Sequence, residues 1–326
     1  MNTIKLTPTL NISNLRKIMI EKLHQFHRPI LSLLILSVLG LAVHAHAMAA
    51  PSDRDLYFTS LEKRLIKDGF DAGKVDALYQ KTGVTFETRN VSLFFILRAG
   101  KMDHSHYTDP KSISKAQKYI QTHQADLSRI ETAAGVPKSV ITAIILVETR
   151  LGTTTGRSSV FNSLSSIAAL DNPAARDNVW NSIDDKGDLT RQTFDQKAKR
   201  KSSWAYRELK AFLKYAAAEG VDPLAVKGSF AGAMGIPQFM PSNIEHYAKD
   251  GNGDGSIDLF NHADAQASVA NFLKRHGWKP GIDRQKKKKV IHHYNHSDDY
   301  VDTIMKISDL LEALSWTLKP SARYSC

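Results

Sequence analysis

Apolar residues recur at helical spacing along most of the chain. Leu56, Leu61, Leu65 and Ile66 form an amphipathic stripe, and a second helix is predicted from near Ser112, after Pro110, towards Ala134. Gly135-Val136-Pro137 punctuates that run. From Ser139 to Leu151 follows a helix apolar on nearly every face, which predicts burial on nearly every face. Trp204 to Ala218 again reads as helix. Between these lies a polar stretch, Asp171 to Arg200, with Asp184-Asp185-Lys186-Gly187-Asp188 and a basic segment from Lys197 to Lys201; its composition predicts a loop or a mobile insertion. Strand signals are sparse, with Lys289 to His293 the best candidate. Lys286 to Lys289 reads as a solvated turn, just after the turn residues Pro280 and Gly281. No period of about 20–50 residues repeats, which argues against a solenoid. The pattern predicts a mainly α fold, as one domain or two tightly joined helical lobes.

One apolar run has a different meaning. Ile30 to Val43 (ILSLLILSVLGLAV) is uncharged and 14 residues long, whereas a membrane-spanning helix needs about 20. Basic residues precede it, and Ala45-His46-Ala47 and Met48-Ala49-Ala50 follow. Residues 1–50 therefore read as a signal peptide cleaved after Ala47 or Ala50, with Met1 or Met19 as the start. The expected location is the periplasm of a Gram-negative envelope, with a retained N-terminal anchor as the alternative. No cysteine stands directly after the apolar run, so a lipoprotein is not expected. The one cysteine, Cys326, excludes an intramolecular disulfide and a four-cysteine zinc site.

Composition narrows the partners. The 326 residues are 42% hydrophobic and 24% charged, which excludes a disordered or collagen-like chain. Lys and Arg number 44 against 33 Asp and Glu, a net charge of +11, and such an excess suits a polyanion: nucleic acid, a membrane surface or an acidic wall polymer. Residues 1–50 hold five of the basic side chains and one acidic one, so their removal leaves +7 over 276 residues. No nucleic-acid-binding motif is present. With an export signal, a nucleic-acid partner is not expected.

Three stretches can carry chemistry. Glu148 ends the greasy helix; apolar neighbours and the negative end of the helix dipole both favour its protonated form, as a general acid near neutral pH requires. The bland alternative is a buried ion pair with Arg150 or another cation. The second stretch, Gly228 to Ser242 (GSFAGAMGIPQFMPS), combines close backbone approach with an adaptable apolar surface, and Ser229 and Gln238 add hydrogen-bonding groups. Alone, it equally describes a tight packing segment. The third is Tyr294-Asn295-His296-Ser297-Asp298-Asp299-Tyr300, sugar-facing groups or simply a helix start capped by Ser297 or Asp298. His292, His293 and His296 lie nearby, but no carboxylate or cysteine is spaced to complete a catalytic metal site.

Together these stretches resemble the membrane-bound lytic murein transglycosylase B family of bacterial cell-wall enzymes. The similarity is close over Gly135 to Gly156, closest over Lys227 to Trp278, resumes at Tyr294 to Tyr300, and is looser before Gly135. It implies a lysozyme-like α core (residues 135–326) with a helical N-terminal lobe (51–134), an insertion at about 171–201 and reduced β content. It implies that Glu148 is the sole catalytic acid/base, that Ser229, Met234 and Gln238 line a saccharide cleft, and that Tyr294, Asn295 and Tyr300 form its third wall. The substrate implied is the glycan strand of peptidoglycan, cut at the β-1,4 bond from N-acetylmuramic acid to N-acetylglucosamine with formation of a 1,6-anhydromuramoyl end. Ordinary glycosidases use two carboxylates; here the substrate's own C6 hydroxyl is the nucleophile, so one suffices and no cofactor is needed for the chemistry. A monomer is expected.

Residues 250–261 also match an EF-hand loop at its first, third, fifth and sixth positions, and family members carry a calcium-binding loop here. Asp250, Asn252, Asp254, Ser256 and Asp258 are the ligands expected for a weak, structural calcium ion, with Gly255 at the sharp turn. Asn261 stands at the twelfth position, where a carboxylate is usual; Asp258 or Asp264 could compensate. Other departures are Leu151 in place of an aromatic, and a cleft tyrosine replaced near Asp103, with Tyr107 nearby. Two rival functions remain: a hydrolytic muramidase on the same scaffold, and a non-catalytic peptidoglycan-binding protein.

Overall fold

The computed structural model describes residues 52–96 and 105–317. The expected signal peptide at residues 1–50, Asp103 and Cys326 lie outside them. Among the described residues there are thirteen α-helices and one two-stranded sheet.

Helices α1 (Thr59–Lys67), α2 (Ala72–Tyr79) and α3 (Thr88–Ile96) come first. The amphipathic stripe buries Leu61 and Leu65, while Ile66 stays exposed. What reads in sequence as one helix to Ala134 is two, α4 (Pro110–Thr122) and α5 (Gln124–Ala134), broken at His123. Asp109 caps α4 through its side chain, and Gly135 ends α5 in a left-handed conformation at φ 69°. The apolar helix is α6 (Lys138–Thr149), with every residue from Ser139 to Val147 buried. It packs along α13 (Asp298–Thr317) and against α4, α5 and α11 (His262–Arg275). All-round burial of an all-round apolar helix is the hydrophobic effect at its simplest.

After α6, the strand β1 (Ser158–Ser159) leads into α7 (Val160–Ala168), whose nine residues are all buried. The polar stretch from Asp171 is not a loop. It holds α8 (Pro173–Asn181) and the first turns of α9 (Arg191–Ala218). Asn172 caps α8 and Thr190 caps α9, and Ala175, Val179, Phe194 and Ala198 are buried. The charged residues that dominate its composition are the solvent face of amphipathic helices, so composition hid the period. Helix α9 is 28 residues long and packs on α7 and on α10 (Pro241–Tyr247). β2 (Lys227–Gly228) pairs antiparallel with β1.

The expected strand at Lys289–His293, and the turn at Lys286–Lys289, are both helix α12 (Arg284–Tyr294). The Asp283 side chain accepts from the Lys286 amide at 2.8 Å. That cap starts the helix and buries Val290 and Ile291, overriding the local β-branched signal. One continuous apolar core runs through the described residues from Phe58 to Leu311.

Candidate active site

Glu148 stands one residue before the end of α6. The helix stops because Arg150 and Leu151 turn left-handed, at φ 51° and 62°. Their amides still bond back, Arg150 to the Leu146 carbonyl at 3.0 Å and Leu151 to Ile145 at 3.2 Å. Thr149 secures the turn. Its hydroxyl donates to the Ile236 carbonyl at 2.9 Å and accepts from the Gly152 amide at 3.1 Å. The end of α6 is thus stapled to the 228–242 loop.

Glu148 is partly exposed as a residue, but its carboxyl group is crowded by surrounding atoms. The Tyr300 hydroxyl, on a 2% exposed side chain of α13, donates to Oε1 at 2.7 Å. Burial pushes the Glu148 pKa up to about 7, and the Tyr300 hydrogen bond pulls it partly back. Among the described residues neither Glu148 nor Arg150 forms an ion pair, and Arg150 is exposed. The buried ion pair is therefore not the arrangement adopted. Because Oε1 accepts from Tyr300, the acidic proton belongs on Oε2, the oxygen left for a ligand.

The 228–242 loop folds on itself through short antiparallel bridges, Gly228 with Met234 and Met234 with Phe239. Ser229 is half-buried, and its Oγ accepts from the Ala231 and Ala233 amides at 3.2 and 3.0 Å. Met234 is fully buried in the core. Gln238 sits at φ 50°, and its Nε2 donates to the carbonyls of Thr155 and Gly235 at 3.1 and 2.9 Å. Among the described residues its Oε1 accepts no hydrogen bond, which leaves an acceptor for a ligand. Buried Glu208 on α9 anchors the far end of the loop, accepting from the Ser242 amide and hydroxyl, each at 2.9 Å.

Tyr294 and Tyr300 flank the turn between α12 and α13. The Tyr294 hydroxyl donates to the Pro237 carbonyl at 2.6 Å, and its ring packs on Phe239 and Phe272. Burial and the Glu148 charge hold both phenols well above the ordinary tyrosine pKa, so each is a neutral donor. Asn295 closes α12 through its backbone, its amide donating to the Ile291 carbonyl at 3.4 Å. Ser297 caps α13, its Oγ accepting from the Tyr300 amide at 3.3 Å. The structure thus joins Glu148 to Tyr300 directly, and Tyr294 and Gln238 through the loop. Asn295 makes no side-chain hydrogen bond to this group among the described residues.

Sequence reasoning passed over three supports. Thr149 and Glu208 act on backbone groups, which leaves no spacing pattern to read. The third is a stack beneath the turn: His262 packs on Gly152, its Nδ1 lies 2.9 Å from the Tyr119 hydroxyl, and Gln266 donates to that hydroxyl at 2.9 Å. These residues are 143 and 147 positions from Tyr119, beyond any local signal.

In the 250–261 loop the oxygens expected to hold a cation are engaged by the loop's own donors. The Asp250 carboxylate accepts from the amides of Gly253 and Gly255, and Asn252 donates to Asp254 at 2.7 Å. Buried Asp264 accepts from the Gly251 and Asp258 amides, both at 2.8 Å, and so clasps the loop. Asn261 caps α11 instead of reaching inward. Among the described residues, no group of three or more His, Cys, Asp or Glu is placed to hold a metal ion.

Comparison with known proteins identifies the family and the fold. The family model of the transglycosylase SLT domain matches residues 54–288. Membrane-bound lytic murein transglycosylase B of Escherichia coli is 34% identical over 175 residues, covering 54% of this chain and 41% of that relative. The chain thus matches less than half the length of that relative. Among solved structures, the E. coli lytic transglycosylase Slt35, in complex with bulgecin A, is similar at a TM-score of 0.64 and 22% identity, over 84% of this chain and 98% of that one. Slt35 has also been solved with calcium. SltB3 of Pseudomonas aeruginosa, in complex with NAG-anhNAM-pentapeptide, is similar at 0.61 and 20% identity, over 78% of each chain. The fold is therefore that of the lysozyme-like lytic transglycosylases, and the chain belongs to the transglycosylase SLT domain family.

Proposed function

We propose that the protein is a lytic transglycosylase of peptidoglycan, cutting the β-1,4 bond from N-acetylmuramic acid to N-acetylglucosamine and leaving a 1,6-anhydromuramoyl end. One observation carries this reading: Glu148 is a crowded carboxyl group with a pKa near 7, set by burial and by Tyr300, with no second acid contributing. A pair of carboxylates, as in ordinary glycosidases, is not what bears on its protonation. Family and fold supply the substrate class, since the relatives are named for acting on murein and SltB3 was solved with an anhydro-sugar pentapeptide.

In this mechanism the proton on Glu148 Oε2 passes to the glycosidic oxygen as the bond to C1 breaks. The resulting carboxylate takes the proton from the muramoyl C6 hydroxyl, whose oxygen closes on C1. Tyr300 donates to Oε1 throughout, which steadies the carboxylate form and orients the other oxygen. A pKa near the working pH lets one group serve as acid and then as base. No cofactor takes part in these steps. Ser229 and Gln238 on one side, and Tyr294, Asn295 and Tyr300 on the other, are assigned to the saccharide cleft, with the fully buried Met234 supporting the loop from beneath instead of lining the cleft, within a core of 135–326 joined by the 51–134 lobe.

Residues 1–50 are assigned to export into the periplasm, or to a retained N-terminal anchor there, and the enzyme is assigned separately as a monomer. A relative solved in complex with calcium is compatible with a weak structural ion, which is assigned to Asp250, Asn252, Asp254, Ser256 and Asp258. Their present engagement with the loop's own amides points to low affinity. Digestion of purified murein sacculi, with mass spectrometry of the new ends, tests the function. Anhydro ends lacking one water are expected; hydrated reducing ends establish a muramidase instead, and no new ends establish a binding protein.

A further inference from the structure

Three consecutive residues turn left-handed where α6 ends: Arg150 at φ 51°, Leu151 at 62° and Gly152 at 84°. Two of them are not glycine, and such a run persists only where its surroundings over-determine it. The Thr149 hydroxyl, bonded to Ile236 and Gly152, ties it to the 228–242 loop. His262, the first residue of α11, holds it by contact. A Cβ added to Gly152 would lie 2.9 Å from Cε1 of the imidazole and 3.4 Å from its Nε2, so the ring rests against the Gly152 backbone.

Hydrogen bonds fix the direction of that ring. The Tyr119 hydroxyl on α4 accepts from Gln266 Nε2 at 2.9 Å, which commits its one proton to His262 Nδ1, also at 2.9 Å. His123, at the break between α4 and α5, packs on both rings: its centroid lies 4.6 Å from that of His262, with 33° between the planes, and 4.4 Å from that of Tyr119. Tyr119 and Gln266 are buried, and Gln266 Oε1 has no hydrogen-bond partner among the described residues. Apolar side chains would fill this place without burying polar atoms. A hydrogen-bonded group sets the orientation of a ring, which a close contact with a strained turn requires.

We infer that His262, oriented by Tyr119, is a positioning residue for Glu148: it braces the left-handed turn that ends α6 and so holds the carboxyl group among the atoms that crowd it. It acts through Gly152 and Thr149. Removing the brace leaves Glu148 on its helix but lets the turn relax and water reach the carboxyl. The titratable groups that face Glu148 are the phenols of Tyr300 on α13 and Tyr294 on α12, and both stay neutral. A looser turn therefore acts by hydration and lowers the Glu148 pKa toward the ordinary carboxyl range, opposite in sign to loss of the Tyr300 hydrogen bond. The catalytic consequence rests on the proposed role of Glu148 as acid and base.

Tyr119→Phe and the more disruptive His262→Ala test this, with Tyr79→Phe as control: Tyr79 on α2 loses a buried hydroxyl of the same kind, bonded to Ser165 on α7 at 3.0 Å. The Glu148 carboxyl is titrated by NMR of its isotope-labelled carbon, assigned with Glu148→Gln, which needs no substrate. The wild-type midpoint is expected at about 7, that of both variants roughly half to one pH unit lower, and that of Tyr79→Phe unchanged. On soluble glycan strands both variants should lose roughly tenfold in kcat, with KM within about twofold of wild type. Should His262→Ala fail to fold, Tyr119→Phe decides alone. A midpoint that stays in place, one moved equally by Tyr79→Phe, or a kcat that stays at the wild-type value overturns the inference. Midpoints that move while wild type makes no anhydro ends overturn the catalytic reading and leave the positioning of the carboxyl standing.

Discussion

At the residue scale, everything turns on where Glu148 keeps its proton. Its pKa rises from 4.5 to about 7 on burial. A carboxyl group that holds its proton more tightly when folded stabilises the fold below the unfolded pKa, and that contribution disappears as pH rises through the folded pKa. Glu148 in its charged form is thus a burden on the fold at alkaline pH, and Glu148→Gln should relieve it. The variant is expected to be more stable than wild type at pH 8, by on the order of 2 kcal/mol, and nearly equal to it at pH 4. Thermal melts at the two pH values check this; a variant no more stable at pH 8 contradicts the raised pKa. Tyr300 is tested separately. Its hydrogen bond lowers the Glu148 pKa, so Tyr300→Phe should move the alkaline limb of the pH–rate profile upward by roughly half to one pH unit and reduce the rate. A limb that stays in place, or moves down, denies Tyr300 its influence. Glu148 was legible in the sequence because a carboxyl at the end of an apolar helix is conspicuous. Its partner was not, since Tyr300 lies 152 positions away and only the packing of α13 on α6 brings the two together.

At the element scale, the site depends on how closely the 228–242 loop approaches the segment after α6. Gly156 has φ 104°, and a Cβ there would lie 2.0 Å from the Gly228 carbonyl oxygen. Gly156→Ala should therefore cost about 2–4 kcal/mol and impair activity, whereas Gly253→Ala, at φ 81° with nothing within 4 Å, should cost only about 1 kcal/mol. Denaturant titrations of the two variants make the comparison, and equal costs would mean that contact plays no part. The cation loop gives a second expectation. Asp264 and the loop's own amides already close it, so millimolar calcium should raise the melting temperature of the wild type by only a few degrees, and a chelator should leave activity intact. A large calcium-dependent rise in melting temperature would reveal an ion cage that forms only on binding. Helices were legible where one apolar face repeats, as in α1, or where the whole segment is apolar, as in α6. They were misread at α8, the start of α9 and α12, where charged residues fill the solvent face and side-chain caps from Asn172, Thr190 and Asp283 set the starts. Capping is a three-dimensional hydrogen bond, and composition alone does not reveal it.

At the scale of the whole molecule, a continuous helical core holds three separated sequence stretches in register, so that an acid on α6, a donor on α13 and an acceptor on the intervening loop come together. The order and content of those stretches were readable from the sequence, and the family follows from them. The thirteen-helix arrangement was not, because the long polar face of α9 disguises one of its main supports. The basic excess of the chain suits an acidic wall polymer. The central claim is that a single carboxyl group performs both proton transfers. Its most direct test is digestion of purified murein sacculi by wild type and Glu148→Gln in parallel, with mass spectrometry of the released ends. Wild type should give 1,6-anhydromuramoyl ends and the variant at least about a thousandfold fewer. Undiminished anhydro ends from Glu148→Gln would contradict the account.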